Sequence, residues 1–130
     1  MSMMPNSQEQ ERARYAFEQV KNIPGPTGKE YRSLVLQAPE RIHQCGLLQT
    51  LAFHLSKEKD SQHSLFLQHL LGWFFGKKII KKNNIRSSYK KLLDLSSTEI
   101  MQKTQESKKL VFWLKRFAER FNEKNGTKGE

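Results

Sequence analysis

The chain has 130 residues, 36% of them hydrophobic, and a formal net charge of +10 at pH 7. A chain of this length can bury roughly two-thirds of its unfolded surface, enough for one compact domain over 1–130. Its one cysteine, Cys45, excludes an intramolecular disulfide, and the longest apolar stretch, Leu65 to Phe75, falls short of the about 20 residues that span a bilayer.

The polar N-terminal residues 1–9 lack the apolar segment of a secretory signal, so a soluble, cytoplasmic chain is expected. Ser7 is positioned to cap a first helix running to about Asn22, with Ala13, Ala16, Phe17, Val20 and Ile23 on its apolar side. Pro24-Gly25-Pro26-Thr27-Gly28 then breaks the chain. A second helix is expected from Lys29 with Tyr31, Leu34, Val35 and Leu36, ended or kinked by Pro39 and resumed briefly from Arg41 to Cys45. Gly46 is a C-cap candidate, and Leu47 to Leu55 is a strongly apolar helix. Lys57-Glu58-Lys59-Asp60 is an exposed connector.

Ser61 or Ser64 can cap the next helix, in which Leu65, Phe66, Leu70, Leu71, Trp73 and Phe74 cover most of the circumference; such a helix is central. The lysine-rich stretch extends it until Asn83-Asn84 ends it, and a short helix from Arg86 to Leu93 follows. Ser97 or Thr98 starts a long last helix with Glu99 in its first turn. Its stripe of Ile100, Thr104, Val111, Leu114, Ala118 and Phe121, flanked by Leu110 and Phe117, belongs to the core. Fraying is expected at 1–6 and from Lys124 onward. Strand signals and internal repeats are missing, so the expected fold is all-α, a compact single-domain bundle of about six helices.

The charge is unevenly spread. Residues 1–60 carry eight Lys/Arg against seven Asp/Glu, whereas 61–130 carry fifteen against six. Lys77, Lys78, Lys81, Lys82, Arg86, Lys90 and Lys91 form a run with no acid inside it. Crowded like charges repel, so a polyanion that neutralises them is the simplest reason for the run. On a helix, Lys77, Lys78, Lys81 and Lys82 would share an arc of about 140°, with Ile79 and Ile80 opposite. Such a face meets phosphates, which position RNA without specifying its sequence. On the last helix Lys109, Arg116 and Arg120 lie within about 40° of one another. Phe112 falls beside them, to stack on a base, to meet a neighbouring protein or to pack against another helix of the same domain, and Trp113 reads as core-edge.

Other chemistries find little support. His43 and Cys45 point about 200° apart on a helix, and His63 and His69 also face different ways, so neither pair suggests a metal site. Cys45 has no base at a fixed spacing and reads as a small core residue. The glycines match neither phosphate-loop nor dinucleotide patterns. No enzyme, metal or cofactor is expected.

Three blocks carry a resemblance. The first is Gly46-Leu47-Leu48-Gln49-Thr50-Leu51-Ala52-Phe53-His54-Leu55-Ser56-Lys57, preceded by Tyr31-Arg32-Ser33-Leu34-Val35 and Pro39. The others are Arg12-Ala13-Arg14-Tyr15-Ala16-Phe17 and Trp113-Leu114-Lys115-Arg116-Phe117-Ala118. In order and spacing these resemble, across nearly the whole chain, the small subunit of type III-B CRISPR–Cas effectors, the fifth component of the Cmr or RAMP-module complex. The chain departs from the family's pattern at Gln105-Glu106-Ser107-Lys108-Lys109-Leu110, where an Arg or Thr followed by Glu-Ala-Leu is usual.

The resemblance implies an antiviral-defence subunit: an all-α domain without enzymatic activity. Copies of it would stack in a short filament beside other Cmr effector subunits, accommodating guide RNA and target RNA. Among the basic residues, Lys57, Lys115 and Arg116 belong to matching blocks, whereas the 77–91 cluster rests on charge. Two rival readings are a protein–protein adaptor that docks an acidic partner through its basic face, and attachment to anionic membranes through Leu65–Lys82.

Overall fold

The computed structural model describes residues 7–126, with side chains through Phe121; the fraying expected at 1–6 and at 127–130 lies outside these residues. Six α-helices follow in order: α1 (Gln8–Val20), α2 (Gly25–Cys45), α3 (Leu47–Leu55), α4 (Ser61–Phe75), α5 (Ile85–Leu93) and α6 (Ser97–Gly126). A 3₁₀ turn, Lys82–Asn84, leads into α5, and no strand occurs among the described residues. At 124–126, where fraying was expected, the backbone is helical.

Local chemistry sets most boundaries. Ser7 and Gln10 form a capping box at α1: Ser7 Oγ accepts from the Gln10 N–H and Gln10 Oε1 accepts from the Ser7 N–H. Ser96, one residue before the expected cap, does the same with Glu99 for α6. Neither expected serine caps α4. Asp60 holds the cap position through its backbone, and Ser64 lies buried one turn inside. Gly46 turns α2 into α3 at φ 84°, a left-handed conformation that favours glycine.

The segment expected to be broken at 24–28 is instead the first turn of α2. Pro24 precedes the helix and Pro26 sits within its first two positions, where a missing N–H costs nothing. The helix also continues through Pro39. An interior proline costs about 3 kcal/mol or more in an isolated helix. Here Leu34, Val35, Ala38 and Ile42 are all buried on the same helix, and their packing holds both sides of the proline in line.

The core closes around α4. Nine of its 15 residues are buried, and it packs against α2, α3, α5 and α6. Several polar groups in this core are paired, although His69 Nε2, His54 Nε2 and Arg32 Nε are buried without a hydrogen-bond partner among the described residues. The Tyr15 hydroxyl donates to the His69 carbonyl at 2.6 Å, and the Tyr31 hydroxyl lies 2.6 Å from His69 Nδ1. Burial lowers the His69 pKa to about 3, so its ring is neutral at pH 7. The Glu106 carboxylate of α6 accepts from Arg12 Nε (2.6 Å) and Nη2 (2.9 Å) on α1 and from the Trp73 indole of α4 (2.8 Å). Arg12, 6% exposed, was not foreseen in the core. Its hydrogen bonds hold the Glu106 carboxyl below its usual pKa.

The basic run departs most from the sequence reading. Lys77, Lys78, Lys81 and Lys82 do not share a helical face, because α4 stops at Phe75. Lys77 takes a left-handed backbone, φ 57°, and the chain folds back over the end of α4. It returns so closely that a Cβ on Gly72 would stand 2.2 Å from the Lys78 carbonyl oxygen. Gln68, one turn earlier, donates to the Ile80 carbonyl at 2.8 Å and fixes the return. Ile80 reaches the core's edge, and the lysines project from irregular backbone.

Two outcomes test this arrangement. Alanine in place of glycine inside a helix ordinarily stabilises by about 1 kcal/mol. At position 72 the sign should reverse, with Gly72→Ala costing about 1–3 kcal/mol in urea unfolding because backbone must move; a stabilised variant would contradict the fold-back. Glu106→Ala removes two of the three carboxylate hydrogen bonds of the buried Arg12 guanidinium, leaving Glu9 alone, and should cost about 3 kcal/mol by the same measurement. An unchanged midpoint would show that the carboxylate is not a structural tie.

Candidate nucleic-acid interface

The structure distributes the basic residues over three places. The first is a cleft of about 680 Å³ between the α3–α4 connector and the start of α5. Lys57, Lys59, Lys82 and Arg86 line it together with Glu58 and Asp60. These cations lie up to 29 positions apart in sequence, and the packing of α3, α4 and α5 brings them to one depression. Glu58 takes up Arg86, which donates from Nε at 2.8 Å and Nη2 at 2.5 Å. That ion pair engages the guanidinium and leaves Lys57, Lys59 and Lys82 without an ion-pair partner among the described residues. Lys57 Nζ lies 5.7 Å over the Phe53 ring.

The second place is the groove beneath the fold-back, lined by Arg14, Tyr15, Trp73, Lys77 and Lys78 with Glu11 and Glu18. Lys77 pairs with Glu11 at 3.3 Å and lies 5.6 Å over the Trp73 ring. The run that contains no acid in sequence therefore meets acids from other segments at two of its members, Lys77 and Arg86. Lys90 lies 3.9 Å from Asp94, one turn on, and Lys91 lies 6.0 Å over the Phe75 ring. Lys78, Lys81 and Lys82 are exposed and have no ion pair among the described residues.

The third place is α6. Lys109, Arg116 and Arg120 are exposed there and Lys115 is half-buried. Arg116 reaches Glu119 at 4.0 Å and covers the Phe112 ring at 5.2 Å. Phe112 is 44% exposed and so does not pack into the bundle. Trp113 sits at the core's edge, its indole donating to Glu9 at 2.9 Å.

Sequence reasoning missed Lys59, whose charge is cancelled along the chain by Glu58 and Asp60 but not in space, where Glu58 serves Arg86. It also missed Arg41, which stacks over Phe53 at 4.0 Å beside a pair of histidines. His54 and His63 meet through their Nδ1 atoms at 2.8 Å. Burial, then His63 and Arg41, lower the His54 pKa to about 3, and burial also lowers that of His63. Both rings are thereby neutral at pH 7 and act as one donor and one acceptor. Among the described residues no three His, Cys, Asp or Glu side chains gather as metal ligands. Cys45, expected in the core, is exposed, because the last turn of α2 presents it away from Ile42. No helix among the described residues is long and apolar enough to cross a membrane.

Comparison with known proteins agrees with this architecture. An X-ray structure of a CRISPR-associated Cmr5 family protein from Thermus thermophilus superposes with a TM-score of 0.71 at 24% sequence identity, covering 89% of this chain and 98% of that one. The family model for the CRISPR-associated protein Cas_Cmr5 matches residues 8–121, from the first residue of α1 to the last core aromatic of α6. The chain belongs to the Cmr5 family of CRISPR-associated proteins, subunits of the Cmr complex.

Proposed function

We propose that this chain is a non-catalytic subunit of a type III-B CRISPR RNA-guided complex that contacts RNA phosphates while stacking with further copies of itself along the guide–target path. One observation carries the RNA reading: the cleft where Lys57, Lys59 and Lys82 converge unpaired beside the ion-paired Arg86. Unpaired ammonium groups held near one another repel, and a phosphodiester backbone relieves that repulsion while releasing its own counterions. Lys78 and Lys81, exposed on the segment that leads to Lys82, add positive charge along the chain's path. The cations are carried on loops and on the first turn of α5, so they track a backbone and carry no base-reading element. Membership of a CRISPR-associated family supports the same role, since such systems are guided by RNA.

The test is the salt dependence of single-stranded RNA binding by the full-length chain. Each phosphate contact contributes roughly 0.7 to the slope of log K against log salt. Replacing Lys57, Lys59 and Lys82 together by alanine should lower that slope by about 2 for every RNA sequence tried. An unchanged slope would overturn the assignment of the cleft. Displacement of the bound RNA by unrelated RNA is expected. Persistence of a protein-only interaction through that competition would favour the adaptor reading instead.

A further inference from the structure

A second surface is built differently. Between α1 and α6 runs a continuous seam of aromatic rings. Phe112 meets Trp113 edge-on at 5.6 Å, Trp113 stacks on Phe117 at 5.9 Å, and Phe117 stacks on Phe121 at 6.0 Å. Phe17 of α1 closes the seam, edge-on to Phe117 at 5.5 Å and to Phe121 at 5.4 Å. Phe17 and Phe112 remain 40% and 44% exposed. Trp113, Phe117 and Phe121 are partly buried against the core, whereas Phe17 and Phe112 carry the strip out onto the surface, beyond what the core needs.

Cations border the strip. Lys21 lies 5.6 Å over Phe17 and Arg116 lies 5.2 Å over Phe112, each also facing a carboxylate of its own helix, Glu18 at 2.8 Å and Glu119 at 4.0 Å. Lys109 and Arg120 are exposed on the same side of α6 as Arg116. The two exposed rings thus each carry a cation over the ring, and the inner rings are engaged with one another. Base stacking needs an open aromatic face. A cation already occupies one face of each exposed ring, and the apolar surface left over lies beside the exposed Lys109 and Arg120, which suits apolar side chains flanked by carboxylates. Aromatic and arginine anchors of this kind are what concentrate binding energy in protein interfaces. A second copy of the chain, at net +10, fits such a border poorly.

We propose that the α1–α6 aromatic seam is a docking surface for an amphipathic helix of a partner protein whose apolar stripe is bordered by Asp and Glu. This assigns Lys109, Arg116 and Arg120 to protein contact rather than to RNA. It stands on residues other than those of the α3–α5 cleft, so either reading can fail without the other.

The experiment uses the reconstituted Cmr complex containing the full-length chain. A photoreactive phenylalanine analogue at position 112 should crosslink to a peptide of another subunit that reads as an amphipathic helix with flanking acids. Phe112→Ala and Arg116→Glu should each lower recovery of the chain in the assembled complex about tenfold, and Arg116→Lys should restore most of it. Helicity by circular dichroism and the RNA salt slope of the free chain should stay as in the parent. A crosslink to RNA, to a second copy of the chain or to no partner would overturn the proposal. So would unchanged recovery of both variants.

Discussion

A single carboxylate holds three helices of this bundle in register. Glu106 of α6 accepts two hydrogen bonds from Arg12 of α1 and one from Trp73 of α4. Arg12 in turn reaches Glu9, which also receives the Trp113 indole. A charged pair taken out of water costs desolvation, so its value lies less in net stability than in direction: three Arg12 hydrogen bonds and the Trp73 indole are satisfied together in this arrangement of the helices. Apolar packing around Leu70, Leu110 and Leu114 would tolerate small slips of α1 along α6; the fork of the guanidinium does not.

With α1, α4 and α6 fixed, the rest of the charge is steered outward. α4 is buried on nearly all sides and cannot carry the lysines that follow it in sequence. The chain leaves it at Gly76, doubles back over Gly72 and delivers Lys78, Lys81 and Lys82 to solvent, Lys78 in the groove beside α1 and Lys82 in the cleft at the α3–α4 connector. Two surfaces result. One is a cleft of cations with few apolar groups, and the other is an apolar seam with cations at its border. The difference between them is the basis for assigning phosphates to one and an acidic helix to the other.

Much of the fold was legible in the sequence because its signals are local. Ser7 before α1, Gly46 before the Leu47–Leu55 run, and the heptad-like stripe of α6 each act within a few residues of themselves. The all-round apolarity of α4 likewise announced a central helix. What escaped depends on distant partners. Arg12 and Glu106 are 94 positions apart, and nothing near either one marks it as buried. Pro39 looked like a stop because its cost is local, whereas the packing that offsets it comes from other helices. The lysine run read as one helical face because a lone glycine such as Gly72 is tolerated inside a helix. The contact that makes Gly72 necessary is with backbone arriving from outside the helix. The charge of the cleft was hidden for a related reason: Glu58 and Asp60 mask Lys57 and Lys59 along the chain, and only in three dimensions is Glu58 taken up by Arg86.

The claim that the α3–α5 cleft holds RNA is tested most directly by ultraviolet crosslinking of the assembled complex, loaded with guide and target RNA, followed by mapping of the adducts onto this chain. The account predicts adducts on peptides that contain residues 57–59 and 78–91, with α6 near residue 112 spared. Adducts confined to α6, or none on this chain while neighbouring subunits are labelled, would contradict it.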